Sequence, residues 1–218
     1  MILAAGRGER LRPLTDQTPK PLLQVAGEPL IAHQLRWLAT AGIREVVINL
    51  HHLGKQIQDY CGNGDLFGLA ITYSHEDVLL ETAGGIVNAL PLLGEAPFLL
   101  LNGDIYTDFD FTSLPAAPPV ATDIHLVLTP TPHYRTHGDF DWADGRVTQR
   151  GESYVYCGIA IVDPSWLKRL PTQPLSLQQP LFEAVAKSRV SGQLWHGTWT
   201  DIGTVAQLEE INERLAAG

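Results

Sequence analysis

The chain reads as an α/β protein with a Rossmann-like three-layer fold and a mostly parallel central sheet. Short apolar runs alternate with longer helical patterns, turn-forming residues separate them, and the runs are apolar throughout rather than at every second position. The runs at 1–5, 46–50, 70–73, 98–101, 125–129 and 156–162 predict strands buried on both faces. Between them, 30–41 carries Leu30, Ile31, Gln34, Leu35 and Leu38 at helical spacing and stops at Gly42, a residue suited to a helix C-terminus. Further helices are predicted over 54–61, 82–90, 177–188 and 205–217. Strand-helix-strand units cross over right-handed, and a sheet built from them binds ligands at the carboxyl ends of its strands.

At 218 residues the chain fits one catalytic domain over 1–218. The stretch 131–153 lacks helical period, and Asp144-Gly145 within it predicts a hairpin turn. The region 131–190 is therefore expected to be a substrate-facing insertion. Hydrophobic residues at 44% and charged residues at 18% exclude a disordered or fibrous protein. Fifteen Lys and Arg against 24 Asp and Glu give −9, which disfavours nucleic acid and anionic lipid as partners. No run approaches the roughly 18–20 apolar residues of a membrane span, and no secretory leader is visible, so a cytoplasmic location is expected. Cys61 and Cys157 lie far apart without metal-site spacing and are expected to be buried thiols.

The densest signal follows the first strand. Leu3, Ala4, Ala5, Gly6, Arg7 and Gly8 lead into Glu9-Arg10-Leu11, then Pro13-Leu14-Thr15 and Pro19-Lys20-Pro21-Leu22. Glycines let backbone N–H groups approach phosphate oxygens and form an anion-binding nest. Arg7, Arg10, Arg12 and Lys20 against Glu9 and Asp16 make the first 20 residues 4 − 2 = +2 within a chain of −9. Neither the Walker loop nor the dinucleotide fingerprint fits, since no Gly-Lys-Ser/Thr follows and the third fingerprint glycine is missing. Two later carboxylates stand before glycine or beside it: Asn102-Gly103-Asp104 after a strand, and Trp199-Thr200-Asp201-Ile202-Gly203-Thr204 before a helix. Asp201 or Thr204 could simply cap that helix.

The stretch 3–22 resembles the sugar nucleotidyltransferase signature L-A-A-G-x-G-x-R-L-x-P-L-T…P-K-P-L. The resemblance implies a GT-A-like nucleotidyltransferase that joins a nucleoside triphosphate to a sugar 1-phosphate and releases pyrophosphate. It further implies that Arg10 grips the triphosphate, that Lys20 sits near the reacting phosphates, and that Asp104 and Asp201 hold Mg²⁺. Arginine's rigid fork holds several oxygens, and lysine's compact charge can follow a moving one. Mg²⁺ needs only one or two carboxylates besides phosphates and water.

By the same resemblance, Leu3 to Gly8, Asn102 and Gly103 cradle the nucleotide, and Glu76 with Thr82, Ala83 and Gly84 reads the base. Glu81 stands where the family usually has glycine. A carboxylate at 76 accepts without donating, which suits uracil N3–H or the guanine N1/N2 edge, whereas a solvated strand-end charge is its bland reading. Tyr156 and Gly158 resemble the strand lining the sugar pocket, with Gly138 and Glu152 beside it. The family's E-K-P is missing, Arg150-Gly151-Glu152 standing near its place.

The loop, the Asn-Gly-Asp and the missing E-K-P most resemble a small uridylyl-transferring branch that uses UTP and a carboxylate-bearing sugar, for which Arg135 or Arg150 would supply a cation. A guanylyl-transferring mannose enzyme and a catalytically silent nucleotide-binding module remain as alternatives. Oligomeric state stays open, a monomer being compatible.

Overall fold

The computed structural model describes residues 1–217, so the last residue of the domain expected over 1–218 lies outside the described residues. In chain order the elements are β1 (Ile2–Leu3), α1 (Leu14–Gln17), β2 (Gln24–Val25), β3 (Glu28–Pro29), α2 (Leu30–Thr40), β4 (Glu45–Leu50), α3 (Gly54–Cys61) and β5 (Ala70–His75). There follow α4 (Glu81–Leu93), β6 (Phe98–Asn102), β7 (Ile105–Thr107), β8 (Ile124–Pro130), β9 (Phe140–Ala143), β10 (Arg146–Arg150) and β11 (Tyr154–Val162). Last come α5 (Pro164–Leu167), α6 (Gln178–Ala186), β12 (Val190–Leu194), β13 (Trp199–Asp201) and α7 (Val205–Ala216). The fold class is the expected α/β, and the chain forms two compact units.

The first unit takes Met1–Leu79, Asn102–Thr112 and the chain from Thr198 onward. Its strands β5, β4 and β1 are all parallel, with β4 between the other two. The sequence of β4, Glu-Val-Val-Ile-Asn-Leu, is buried from Val46 onward, as a central strand with both faces covered must be. β1 is shorter than the run at 1–5 suggests, because the chain turns away at Ala4 into the glycine loop. Helix α2 buries Leu30, Ile31, Leu35 and Leu38 on one stripe. It ends as its sequence predicts: Ile43 N–H reaches Leu38 O and Gly42 N–H reaches Ala39 O, with Gly42 at φ 85°. Beyond the expected elements, β7 and β13 form a two-stranded antiparallel ladder. Val25, Leu30, Ile202 and Ile211 form a buried cluster in the same unit, with Tyr106, Leu208 and Leu215 packed on it.

The second unit comprises Leu80–Leu101 and Ser113–Gly197. Its β11 pairs antiparallel with β6 and β8, while β8 and β12 run parallel. The hairpin expected at Asp144-Gly145 is present as β9 and β10, with φ 49° and 79° at the two turn residues, the left-handed pair such a tight turn requires. His125 bridges β8 to β12 through Ser191 Oγ at 2.9 Å and Gln193 Oε1 at 3.0 Å. Burial lowers its pKa. Cys61 and Cys157 are buried thiols, as expected; burial pushes the Cys61 thiol up to about 12 and raises that of Cys157. No helix among the described residues is long and apolar enough to cross a membrane.

Ile211 is 2% exposed in the cluster that ties α7 to Ile202. Truncation should leave a cavity costing about 2–5 kcal/mol, so Ile211→Ala is expected to lower the denaturant midpoint without changing its slope.

Candidate active site

The first unit builds its site from the glycine loop, the turn at Asp104 and the segment after β13. Gly8 adopts φ 63°, and a Cβ there would stand 2.8 Å from Thr15 Cγ2. Thr15 is buried, donates its hydroxyl to Gly8 O at 2.8 Å, and receives His52 Nε2 on its own carbonyl at 2.9 Å. The loop is thus braced from behind, while Gly6 and Arg7 face solvent. Leu3 borders it, half-buried, and Ala4 and Ala5 are buried at its root.

Asn49, 2% exposed at the end of β4, accepts Ala4 N–H at 2.8 Å and donates to Glu76 Oε1 at 2.7 Å. Glu76 is 6% exposed, so the solvated reading fails for it. Its observed work is to orient the amide that fixes the start of the loop.

Gly103 is where only glycine fits: its N–H donates to Leu3 O at 2.9 Å, and a Cβ would sit 2.3 Å from that oxygen. The neighbouring carbonyls of Asn102 and Ile105 both accept from the buried Gln34 Nε2, at 3.0 and 3.1 Å. One amide from α2 therefore clamps both ends of the turn that presents Asp104. On the ladder, Asp201 lies opposite Ile105, and Ile202 N–H donates to Asp104 O at 2.7 Å. The two aspartates, distant in sequence, belong to adjacent strand ends.

Lys20 Nζ donates to Asp104 Oδ2 at 2.7 Å, the lysine side chain being 14% exposed and the carboxylate 34%. Gln207 Nε2 donates to Asp201 Oδ1 at 3.0 Å, and Gln207 Oε1 accepts Gly203 N–H at 3.0 Å. Thr204, not Asp201, caps α7: its Oγ1 accepts Gln207 N–H at 3.3 Å. Arg10 comes beside this segment, since a Cβ at Gly203 would stand 2.7 Å from Arg10 Nη2. Arg10, Lys20, Asp104 and Asp201 are therefore gathered in one unit.

The remaining expected residues lie in the second unit. Ala83 and Gly84 N–H groups both donate to Leu175 O, at 2.8 and 3.1 Å, and Gly84 lies against Gln173 O. Those amides are already satisfied by the protein, and of this trio only Thr82 is partly exposed. Glu81 sits at φ 57°, which explains why glycine is the usual residue there. Gly138 is a close-packing position: a Cβ would lie 2.7 Å from Glu152 O. Glu152 itself is exposed and pairs with His137. Gly158 has φ 74° in an irregular stretch of β11, and the neighbouring Tyr156 hydroxyl is buried without a hydrogen-bond partner. Arg150 lies over the Phe182 ring at 4.1 Å, whereas Arg135 stands 3.8 Å from Asp139, whose carboxylate accepts Tyr156 N–H.

Sequence reasoning had no functional reading for Gln34, Asn49 or Gln207. A signal existed for all three: Gln34 interrupts the apolar stripe of α2, and Asn49 the apolar run of β4, so each is a buried polar group that must be paired. Gln207 stands three residues after the capping Thr204, the capping-box spacing.

Within this fold the class is defined by sequence: the chain belongs to the nucleotidyl transferase family, whose model matches residues 1–137. The family transfers a nucleotide from a nucleoside triphosphate to a sugar 1-phosphate, as the expected enzyme class requires. Among particular relatives, the N-acetylmuramate α-1-phosphate uridylyltransferase of Neisseria meningitidis serogroup B is 45% identical over all of this chain and 98% of its own length. The protein of the same name from Caulobacter vibrioides is 36% identical, over 99% of this chain and 96% of its own. The catalytic subunit beta of Drosophila pseudoobscura mannose-1-phosphate guanylyltransferase is 31% identical, but the chain spans only 58% of it. A Bacillus anthracis protein assigned as a glucose-1-phosphate thymidylyltransferase, solved with sucrose, shares the fold at TM-score 0.84 and 24% identity, over 98% of this chain and 93% of its own.

Because Leu3 O blocks any side chain at 103, Gly103→Ala should destabilise the protein by about 1–3 kcal/mol through forced backbone movement. A thermal melt of the variant reads this directly; an unchanged Tm would show that the close approach is not constraining.

Proposed function

We propose that the chain transfers UMP from UTP to N-acetylmuramic acid α-1-phosphate, releasing pyrophosphate, as a cytoplasmic step of cell-wall sugar recycling. The observation that carries this reading is full-length similarity at 45% identity to an enzyme of that name, together with the clustering of Arg10, Lys20, Asp104 and Asp201. The nucleotide would lie on the loop from Leu3 to Gly8 and against Asn102 and Gly103, and the sugar against residues of 131–190, where Gly138, Glu152, Tyr156 and Gly158 were expected to serve. An oxygen of the sugar phosphate attacks the α-phosphorus in line; one P–O bond forms as the bond to the bridging oxygen of pyrophosphate breaks. No covalent intermediate with the protein is needed.

Enzymes of this family generally use a divalent metal. The donor set fits a hard cation: two carboxylates on adjacent strand ends, and among the described residues no cluster of three or more His, Cys, Asp or Glu side chains that would hold a metal without substrate. This is the pattern of Mg²⁺, which keeps water and substrate phosphates as ligands. Asp104 and Asp201 would hold Mg²⁺, which neutralises phosphate charge when bound. Arg10 orients the triphosphate and Lys20 follows the charge that builds on the reacting oxygens. Gln34 and Gln207 keep the two acids in place.

The buried Glu76 accepts Asn49 Nδ2–H on Oε1, and its carboxylate would also accept uracil N3–H. For the lactyl carboxylate of the sugar, the cation would come from Arg135, which stands 3.8 Å from Asp139, or from Arg150, which lies over the Phe182 ring.

Asp104→Asn and Asp201→Asn should each lower kcat on the order of 10²-fold or more, with circular dichroism unchanged. Full Mg²⁺-dependent turnover in either would overturn the metal assignment. Pyrophosphate release over a grid of nucleoside triphosphates and sugar 1-phosphates should peak at UTP with N-acetylmuramic acid α-1-phosphate. A peak at GTP with mannose 1-phosphate would instead support the guanylyltransferase reading, and turnover with no pair a binding module. Replacing both Arg135 and Arg150 with Ala should reduce the preference for N-acetylmuramic acid over N-acetylglucosamine 1-phosphate by about tenfold, the worth of roughly one charge-assisted contact.

A further inference from the structure

In the free chain the side chain expected to meet the phosphates is instead bonded to a carboxylate expected to meet the metal. Lys20 Nζ lies 2.7 Å from Asp104 Oδ2, and the lysine is 14% exposed. The backbone beneath it is fixed by the tight turn in which Leu22 N–H donates to Pro19 O at 2.8 Å and Leu23 N–H to Lys20 O at 3.1 Å. The stem starts beside the glycine turn, its Cβ being 3.5 Å from the point where a Cβ on Gly8 would stand. From that root a flexible four-carbon stem can carry its ammonium to the carboxylate or to an anion on the loop.

We propose that Lys20 is the internal counter-ion of Asp104, competing with the divalent cation for that carboxylate until a triphosphate on the glycine loop draws the ammonium away. The proposal rests on the reading of Asp104 as a metal ligand and adds an order to it. An ammonium and a divalent cation repel each other, so while the ammonium holds Asp104 Oδ2 a divalent cation binds that carboxylate less tightly. The cation therefore binds weakly to the free chain and strongly to the nucleotide-loaded one. By linkage the nucleotide gains from the cation the same factor that the cation gains from the nucleotide. At the neighbouring acid, Asp201 Oδ1 receives the neutral amide of Gln207.

The test is a Mn²⁺ titration of the full chain followed by electron paramagnetic resonance, with and without α,β-methylene-UTP. Wild type should bind Mn²⁺ weakly alone and at least about tenfold more tightly with the analogue. Lys20→Met should bind Mn²⁺ alone about tenfold more tightly than wild type and show a gain from the analogue smaller by the same factor, the analogue's phosphates still contributing theirs. Lys20→Arg, which keeps the charge, should stay weak. Lys20→Gln serves as a second neutral variant should the methionine form fail to fold, as judged by circular dichroism. Neutral variants that bind Mn²⁺ alone no more tightly than wild type would overturn the proposal while leaving the metal reading intact. That reading fails separately if Asp104→Asn and Asp201→Asn leave Mn²⁺ binding to the nucleotide-loaded chain unchanged.

Discussion

Three residue pairs on a short antiparallel ladder, Trp199 with Thr107, Thr200 with Tyr106 and Asp201 with Ile105, are what make two distant acids neighbours. A ladder of that length is not stable by itself in water. Here it is closed at both ends: Thr107 Oγ1 donates to Thr198 O at 2.8 Å, and Ile202 N–H donates to Asp104 O at 2.7 Å. Ile202, immediately after the ladder, is fully buried with Val25, Leu30 and Ile211. Apolar burial therefore fixes the strand from one side, and hydrogen bonds to the turn fix it from the other. The placement of Asp104 and Asp201 follows from both.

The side chains that orient the charged groups are neutral amides. Gln34 clamps the turn at Asp104, Asn49 ties Glu76 to Ala4, and Gln207 holds Asp201 while accepting Gly203 N–H. An amide both donates and accepts, so one side chain can join a carboxylate to a backbone group. It adds no net charge to the site. A lysine in the place of Gln207 would hold Asp201 as well but would resist a cation, which is the behaviour assigned above to Lys20 at Asp104.

Much of the fold was legible because its elements obey one period at a time. The Val46-to-Leu50 run, the stripe of α2 with its Gly42 terminus and the Asp144-Gly145 hairpin are each specified by local sequence. The strands β7, β12 and β13 were not, for a physical reason. Trp199–Asp201 and Ile105–Thr107 are too short to show a period, and Val-Ser-Gly-Gln-Leu has a composition poor for strands; only pairing makes strands of them. The same distinction runs through the site. The motif residues announced themselves by type and spacing. That Ala83 and Gly84 spend their amides on Leu175, or that Glu76 is buried against Asn49, depends on segments no local pattern links.

Electrostatics completes the account. The chain carries −9 overall, yet charges beyond roughly 8–10 Å are screened at physiological salt, so an approaching triphosphate responds to the local set. Arg10 and Lys20 balance Asp104 and Asp201, giving 2 − 2 = 0. With Lys20 paired to Asp104, the free chain presents mainly Arg7, Arg10 and the backbone amides of the loop to an anion. Transfer of Lys20 to the phosphates, as proposed above, would leave Asp104 without its ammonium partner and open the vacated oxygen to another cation. On that proposal, local neutrality would couple the arrival of the nucleotide to that of the divalent ion through one lysine.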